Sequence, residues 1–186
     1  MTHEAAPRPA MVRRNGFWPA ALAALACTLA IALPLQSNAA AFAVGEPLPT
    51  LTLNDQHDKP LSIGPDTRWL LFTSEKAVSD MVNSVLSAEP VGVLDRLHLV
   101  YVADISAMPA MVTRMFALPK LRALSFSIAL VSDPMQIAQV TELPRQPGSA
   151  TLLRLEERRI VQVITVGSAG ELRAALGLAS VQAPQR

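Results

Sequence analysis

Thr73, Ser74, Glu75 and Lys76 stand side by side between the apolar run Arg68–Phe72 (RWLLF) and a segment with helical periodicity. A strand delivering a polar turn into a helix is a place where chemistry is commonly housed. Helix-terminal amides can hold an anion or a carboxylate there, with Ser74 adding a donor and Lys76 a charge. Ser74 is equally suited to the plainer task of N-capping that helix. Nucleophilic hydrolysis needs a positioned base. The histidines outside the leader are His57, in a polar turn, and His98, at the start of an apolar run. No G-x-S-x-G elbow accompanies them, so hydrolysis is set aside. Met108, Met111 and Met115 recur at helical spacing; three thioethers on one face suit Cu(I), and the same spacing suits core filling. Asp104 closes an apolar run and either contributes to a sheet-edge site with Asp80 or Lys76 or caps the turn that follows. His, Asp and Glu form no cluster at metal-ligand spacing. There is no G-x-G-x-x-G for a pyrophosphate, and no cofactor is expected.

The sulfur count limits the chemistry further. Cys27 is the single cysteine of the 186 residues. It lies inside the apolar run Phe17–Leu35, which follows Arg13-Arg14 and leads into the small residues of SNAAAF. Charged start, apolar middle and small-residue end mark residues 1–40 as an export signal, with cleavage near Ala39–Ala41. The expected address is periplasmic or secreted. The alternatives are a retained signal anchor and, because Cys27 follows Ala24-Leu25-Ala26, lipid attachment. Removal of the leader leaves a domain at 41–178 and a flexible tail at 179–186. That domain has no thiol for catalysis, disulfide formation or metal binding. The chain is +1 and its first forty residues are +2 (Arg8, Arg13, Arg14 against Glu4), which leaves −1 for the rest. A near-neutral remainder without a basic stripe argues against nucleic acid. The partner expected is an exported protein or a small ligand, its identity open.

The elements that position these residues are read from periodicity. Pro47 and Pro49 keep Val44–Thr50 extended. Leu51–Leu53 and Pro60–Ile63 alternate around the polar turn NDQHDK and predict a hairpin. RWLLF, His98–Ile105 and Ser127–Val131 are near-continuous apolar runs, as in strands covered on both faces. Ala77, Val78, Met81, Val82, Val85 and Leu86 give the helix after Phe72 one apolar face. Val91–Leu97 predicts a short helix. Met108–Leu118 predicts another that stops before Pro119, with one more turn at Lys120–Leu124. Met135–Gly148 is loop or short helix. Thr151–Leu155 and Ile160–Val166 form a second hairpin, and a final helix over Ala169–Leu176 is capped by Ser168 and ended by Gly177.

This order resembles the thioredoxin fold, and more narrowly its secreted peroxiredoxin-like and thiol-reductase-like branch. VGEPLPTLTLNDQHDKPLSI is similar to the opening of such proteins, WLLFTSEK stands where their strand delivers Cys-x-x-Cys, and PGSATLLRLEERRIVQV is similar to their closing hairpin. The resemblance implies an α/β fold with a thioredoxin-like mixed sheet, helices on both faces and an N-terminal β-hairpin. It does not carry the chemistry over, because Thr73–Val78 contains neither the cysteine pair nor the Pro-x-x-x-Thr-x-x-Cys of a peroxiredoxin. The expected function is a non-catalytic binding or assembly module, using the turn Thr73–Lys76 and the loop Met135–Gly148. The alternatives are a degenerate or unrecognised oxidoreductase and a methionine-based copper-handling protein.

Overall fold

A computed structural model describes residues 42–178; the expected leader with Cys27 and the expected tail lie outside them. Seven strands form one sheet. They are β1 (Leu53–Asp55), β2 (Pro60–Leu61), β3 (Trp69–Thr73), β4 (Leu99–Asp104), β5 (Ala129–Val131), β6 (Ala150–Glu156) and β7 (Arg159–Val166). Their spatial order is β2-β1-β5-β4-β3-β6-β7. β3 pairs in parallel with β4 and β4 with β5, whereas β6 runs antiparallel to both β3 and β7. A βαβ unit thus lies beside a closing ββα unit, with β3 and β6 at the join. That is the thioredoxin-like arrangement, and the β1–β2 hairpin extends it at one edge.

The apolar run in β3 is explained by burial on both sides. Leu70 and Phe72 face one core cluster and Leu71 the other, all essentially without solvent contact. Each such side chain contributes about 1.5–3 kcal/mol through the apolar surface it removes from water. The Leu71 side is covered by α1 (Lys76–Ser87), α2 (Val93–Leu97) and α6 (Ala169–Leu176). The Leu70 side is covered by α5 (Pro134–Val140) and by the extended entry, through Phe42, Leu48 and Leu51. Helices therefore lie on both faces. The entry begins against β7, where Gly45 N–H donates to Ile160 O and Leu48 N–H to Arg158 O. It reaches β1 at the opposite edge of the sheet. Thr52 N–H fastens it to α5 by donating to Gln139 Oε1 at 2.7 Å.

One predicted helix end is overturned. The segment after Pro109 does not stop before Pro119. It runs through α3 (Ala110–Val112), a π-helical segment (Thr113–Ala117) and α4 (Leu118–Arg122). Pro119 has no N–H for Met115 O, and its ring would clash there in a regular α-helix. The wider turn resolves both problems: Leu118 N–H donates to Thr113 O, five residues back. Pro119 then sits in the first turn of α4, where a missing N–H is harmless. Among the described residues no helix is long and apolar enough to cross a membrane.

Candidate functional site

The carboxyl ends of β3 and β4 and the amino end of β6 meet at one edge of the sheet. Thr73 lies opposite Ala103 in the parallel pairing, which places Asp104 one residue beyond it. Phe72 lies opposite Thr151, which brings the loop ahead of β6 over the turn after Phe72. The turn and the loop expected to serve one binding surface meet: Gly148 N–H donates to Glu75 Oε1 at 3.0 Å.

That contact changes how α1 begins. Ser74 was expected as N-cap and Glu75 as a first-turn acid. Glu75 is instead the N-cap residue, without a side-chain cap bond, because its carboxylate is used on the loop. Its carbonyl accepts from Ser79 N–H, and α1 opens at Lys76. Lys76 Nζ pairs with Asp80 one turn on. The pair is exposed and worth only a few tenths of a kcal/mol, but it means Lys76 is not presented alone to a ligand. Thr73 is wholly buried, and its hydroxyl meets Ser79 Oγ at 2.8 Å and Tyr101 Oη at 3.2 Å.

Asp104 caps the turn after β4, as one of its two readings anticipated. Its Oδ1 accepts from Ser106 N–H at 3.0 Å and from Ser106 Oγ at 2.6 Å. Its Oδ2 pairs with Arg145 at 3.2 Å, rather than with Lys76. Arg145 was not anticipated. Its guanidinium carbon lies 5.1 Å from the centre of the Phe72 ring, and it also donates to Val140 O. One arginine of the loop thus joins the end of β3, the end of β4 and α5. Its sequence context, Pro144-Arg145-Gln146-Pro147, announces a loop and nothing of these partners.

The remaining candidates are not gathered at this edge. His57 sits in the β1–β2 turn, where Asp55 Oδ1 accepts its backbone N–H. His98, expected to begin a strand, is an exposed residue in left-handed conformation closing α2. Met108 packs against the core, but Met111 and Met115 are largely exposed and fill nothing, so the three do not share one environment. Among the described residues no group of three or more His, Cys, Asp or Glu is placed to hold a metal ion.

A hollow of about 250 Å³ opens beside Lys76, between α1 and the helical run 110–122, with Tyr101, Ala103 and Met108 among its lining. Larger hollows lie away from the turn, among them one of about 370 Å³ beside Gly64 and Asp95 and two more. One, of about 500 Å³, is at the other end of β3 beside Trp69 and His98; the other, of about 670 Å³, is beside the β1–β2 turn. Over the turn itself, Glu75 and Arg145 bridge to their neighbours instead of framing a deep cleft.

Tyr101 gives this region a pH signature. Burial pushes its hydroxyl above the ordinary tyrosine range. Bonds from Thr73 and Ser79 oppose that shift, and the charge of Asp80 adds to it. The unfolded chain ionises its tyrosine near pH ~10, before the folded chain does. The unfolded state then holds fewer protons, so stability is intact below that pH and falls above it. Unfolding free energies measured between pH 9 and 11 should decline less in Tyr101→Phe than in the parent; equal declines would contradict this assignment.

No family model and no curated protein matches the sequence. Solved structures do. A thio-disulfide isomerase from Thermus thermophilus is 18% identical, with 74% of this chain and 99% of that one covered and a TM-score of 0.45. A thiol:disulfide interchange protein from a Bacteroides species is 13% identical (76% and 94% covered, TM-score 0.48). The peroxidoxin BcpB from Mycobacterium tuberculosis is 15% identical (72% and 94%, TM-score 0.45). The thioredoxin-like fold itself rests on the strand order and register. Where that fold presents its turn after the central strand, this chain has Thr73, Ser74, Glu75 and Lys76, and no cysteine occurs anywhere after Cys27.

Proposed function

We propose that this chain is an exported thioredoxin-fold binding module without thiol redox chemistry. Its docking surface is the solvent-reaching part of the turn, Ser74–Lys76, with the loop that carries Arg145 and Gly148; Thr73, wholly buried, supports it from beneath. The observation that carries the reading is the bond from Gly148 N–H to Glu75 Oε1, backed by Arg145 between Asp104 and Phe72. Oxidoreduction by this architecture needs a reactive sulfur that a substrate can reach. Here the turn holds no sulfur, and its carboxylate and the neighbouring guanidinium tie the loop down. A fixed, contoured surface suits recognition, because little conformational entropy remains to be lost on binding.

The export reading rests on the residue pattern of 1–40. One experiment addresses both parts. Affinity-tagged protein recovered from the export compartment should have a mass that excludes Cys27 and should be inert in a disulfide-reduction assay. It should also bring down a partner that Ser74→Ala combined with Lys76→Glu releases by at least tenfold. Both positions are on the surface side of the turn, so circular dichroism of the double variant should match the parent. Disulfide-reducing turnover, or partner recovery indifferent to the double variant, would overturn the proposal.

A further inference from the structure

The helical run 110–122 is apolar on both sides. None of its residues is fully buried. Leu118 and Leu121 turn inward and pack partly against the core, together with Met108 just ahead of the run. Met111, Val112, Met115 and Phe116 turn outward and are 73%, 43%, 62% and 61% exposed. A helix apolar all round is ordinarily covered on every side. The charges point one way too. Between Ile105 and Ser132 the charged residues are Arg114, Lys120 and Arg122, with no acid among them. Arg122 is engaged by Gln56 O and Asp58, whereas Arg114 and Lys120 make no ion pair with any described residue.

We propose that the outer face of the run 110–122 seats on an anionic lipid surface. Thirteen residues give about 20 Å of helix, too short to span a bilayer and long enough to lie in its interface. The exposed Met and Phe side chains would sit at the headgroup–acyl boundary, with Arg114 and, from the rim of the hollow beside α1, Lys120 reaching lipid phosphates. Lipid is favoured over a protein groove by what the face lacks. Its thioethers are flexible, and Thr113 and Arg114 are the polar residues interleaved with the apolar four. Apolar burial plus positive charge is what a lipid surface requires. A protein groove would add directional hydrogen bonding. Met111, Val112, Met115 and Phe116 share no residue with the turn Thr73–Lys76 and do not line the hollow beside it, so failure of this proposal would leave the proposed function standing.

The test is hydrogen exchange with mass spectrometry on the full chain, read peptide by peptide. Vesicles of phosphatidylcholine with one-third phosphatidylglycerol are compared with phosphatidylcholine alone. Local readout matters because the apolar run Phe17–Leu35 can itself partition into any vesicle. Peptides covering 110–122 should become protected on the anionic vesicles and not on the neutral ones, with β3 and β4 unchanged. Met115→Ser with Phe116→Ser should abolish the protection. Arg114→Gln with Lys120→Gln should raise the lipid concentration needed by about 25-fold, taking about fivefold per basic residue. Absence of protection overturns the proposal, and equal protection on both vesicle types overturns the role of charge. Protection that appears without lipid as protein concentration rises assigns the face to a second copy instead and also overturns it.

Discussion

Replacing Gln56 with leucine should lower the unfolding free energy by about 4 kcal/mol, from two buried backbone groups left without partners at about 1–3 kcal/mol each. Gln56 lies just past the end of β1 and is 1% exposed. Its side chain acts as a further rung of the ladder between β1 and β5. Oε1 accepts from Ile128 N–H at 2.8 Å, and Nε2 donates to Phe126 O at 2.8 Å and more weakly to Leu121 O at 3.4 Å. Leucine is no smaller and supplies neither function, so the loss is polar and not a cavity. In urea, with a slope of about 2 kcal/mol per molar, the midpoint should fall by about 2 M. Gln56→Glu separates the two functions. It keeps the acceptor for Ile128 but turns a carboxylate toward the carbonyls of Phe126 and Leu121, so it should also destabilise, less so as the carboxyl protonates at low pH. A cost below 1 kcal/mol for Gln56→Leu would show that water reaches these groups.

Gln56 also marks where the sequence stopped being legible. NDQHDK reads as a polar turn because five of its six residues are charged or amide-bearing neighbours on a surface hairpin, and nothing local distinguishes the one that turns inward. Its partners are about 70 residues away. Glu75 and Arg145 were hidden for the same reason. Glu75 meets Gly148 from 73 residues away, and Arg145 meets Asp104 from the far side of α5. Pattern reading succeeds where the cause is local or periodic. The continuous apolar run of β3 follows from burial on two faces. The limits of α6 follow from Ser168 Oγ accepting from Glu171 N–H and from Gly177 adopting φ +66°. It failed at Pro119, where the local rule was sound but a π-turn satisfied it without ending the helix. It failed at Ser74 because a distant amide claimed the carboxylate next to it. Those misses share a consequence: the scaffold was readable, and the contacts that hold the candidate surface in shape were not.

The helix that carries that surface is anchored at its far end by an ion pair, and breaking it should be the second-largest loss. Glu89, just past the end of α1, meets Arg173 of α6 at 2.6 Å, with side chains only 15% and 13% exposed. Glu89→Gln should cost about 3 kcal/mol, because the mostly buried guanidinium then loses the charge of Glu89. The pair itself need not be strongly stabilising, since both groups lost water to form it. Glu89→Leu combined with Arg173→Met should therefore recover most of the loss and come within about 1 kcal/mol of the parent. Denaturant unfolding of the parent, Glu89→Leu, Arg173→Met and the double variant yields the coupling energy directly. Raising salt from 0.05 to 0.5 M, roughly the range over which exposed pairs are screened, should leave that coupling nearly unchanged. A coupling that disappears in salt, or a double variant as unstable as the sum of its singles, would mean that α1 is held to α6 by its apolar face alone.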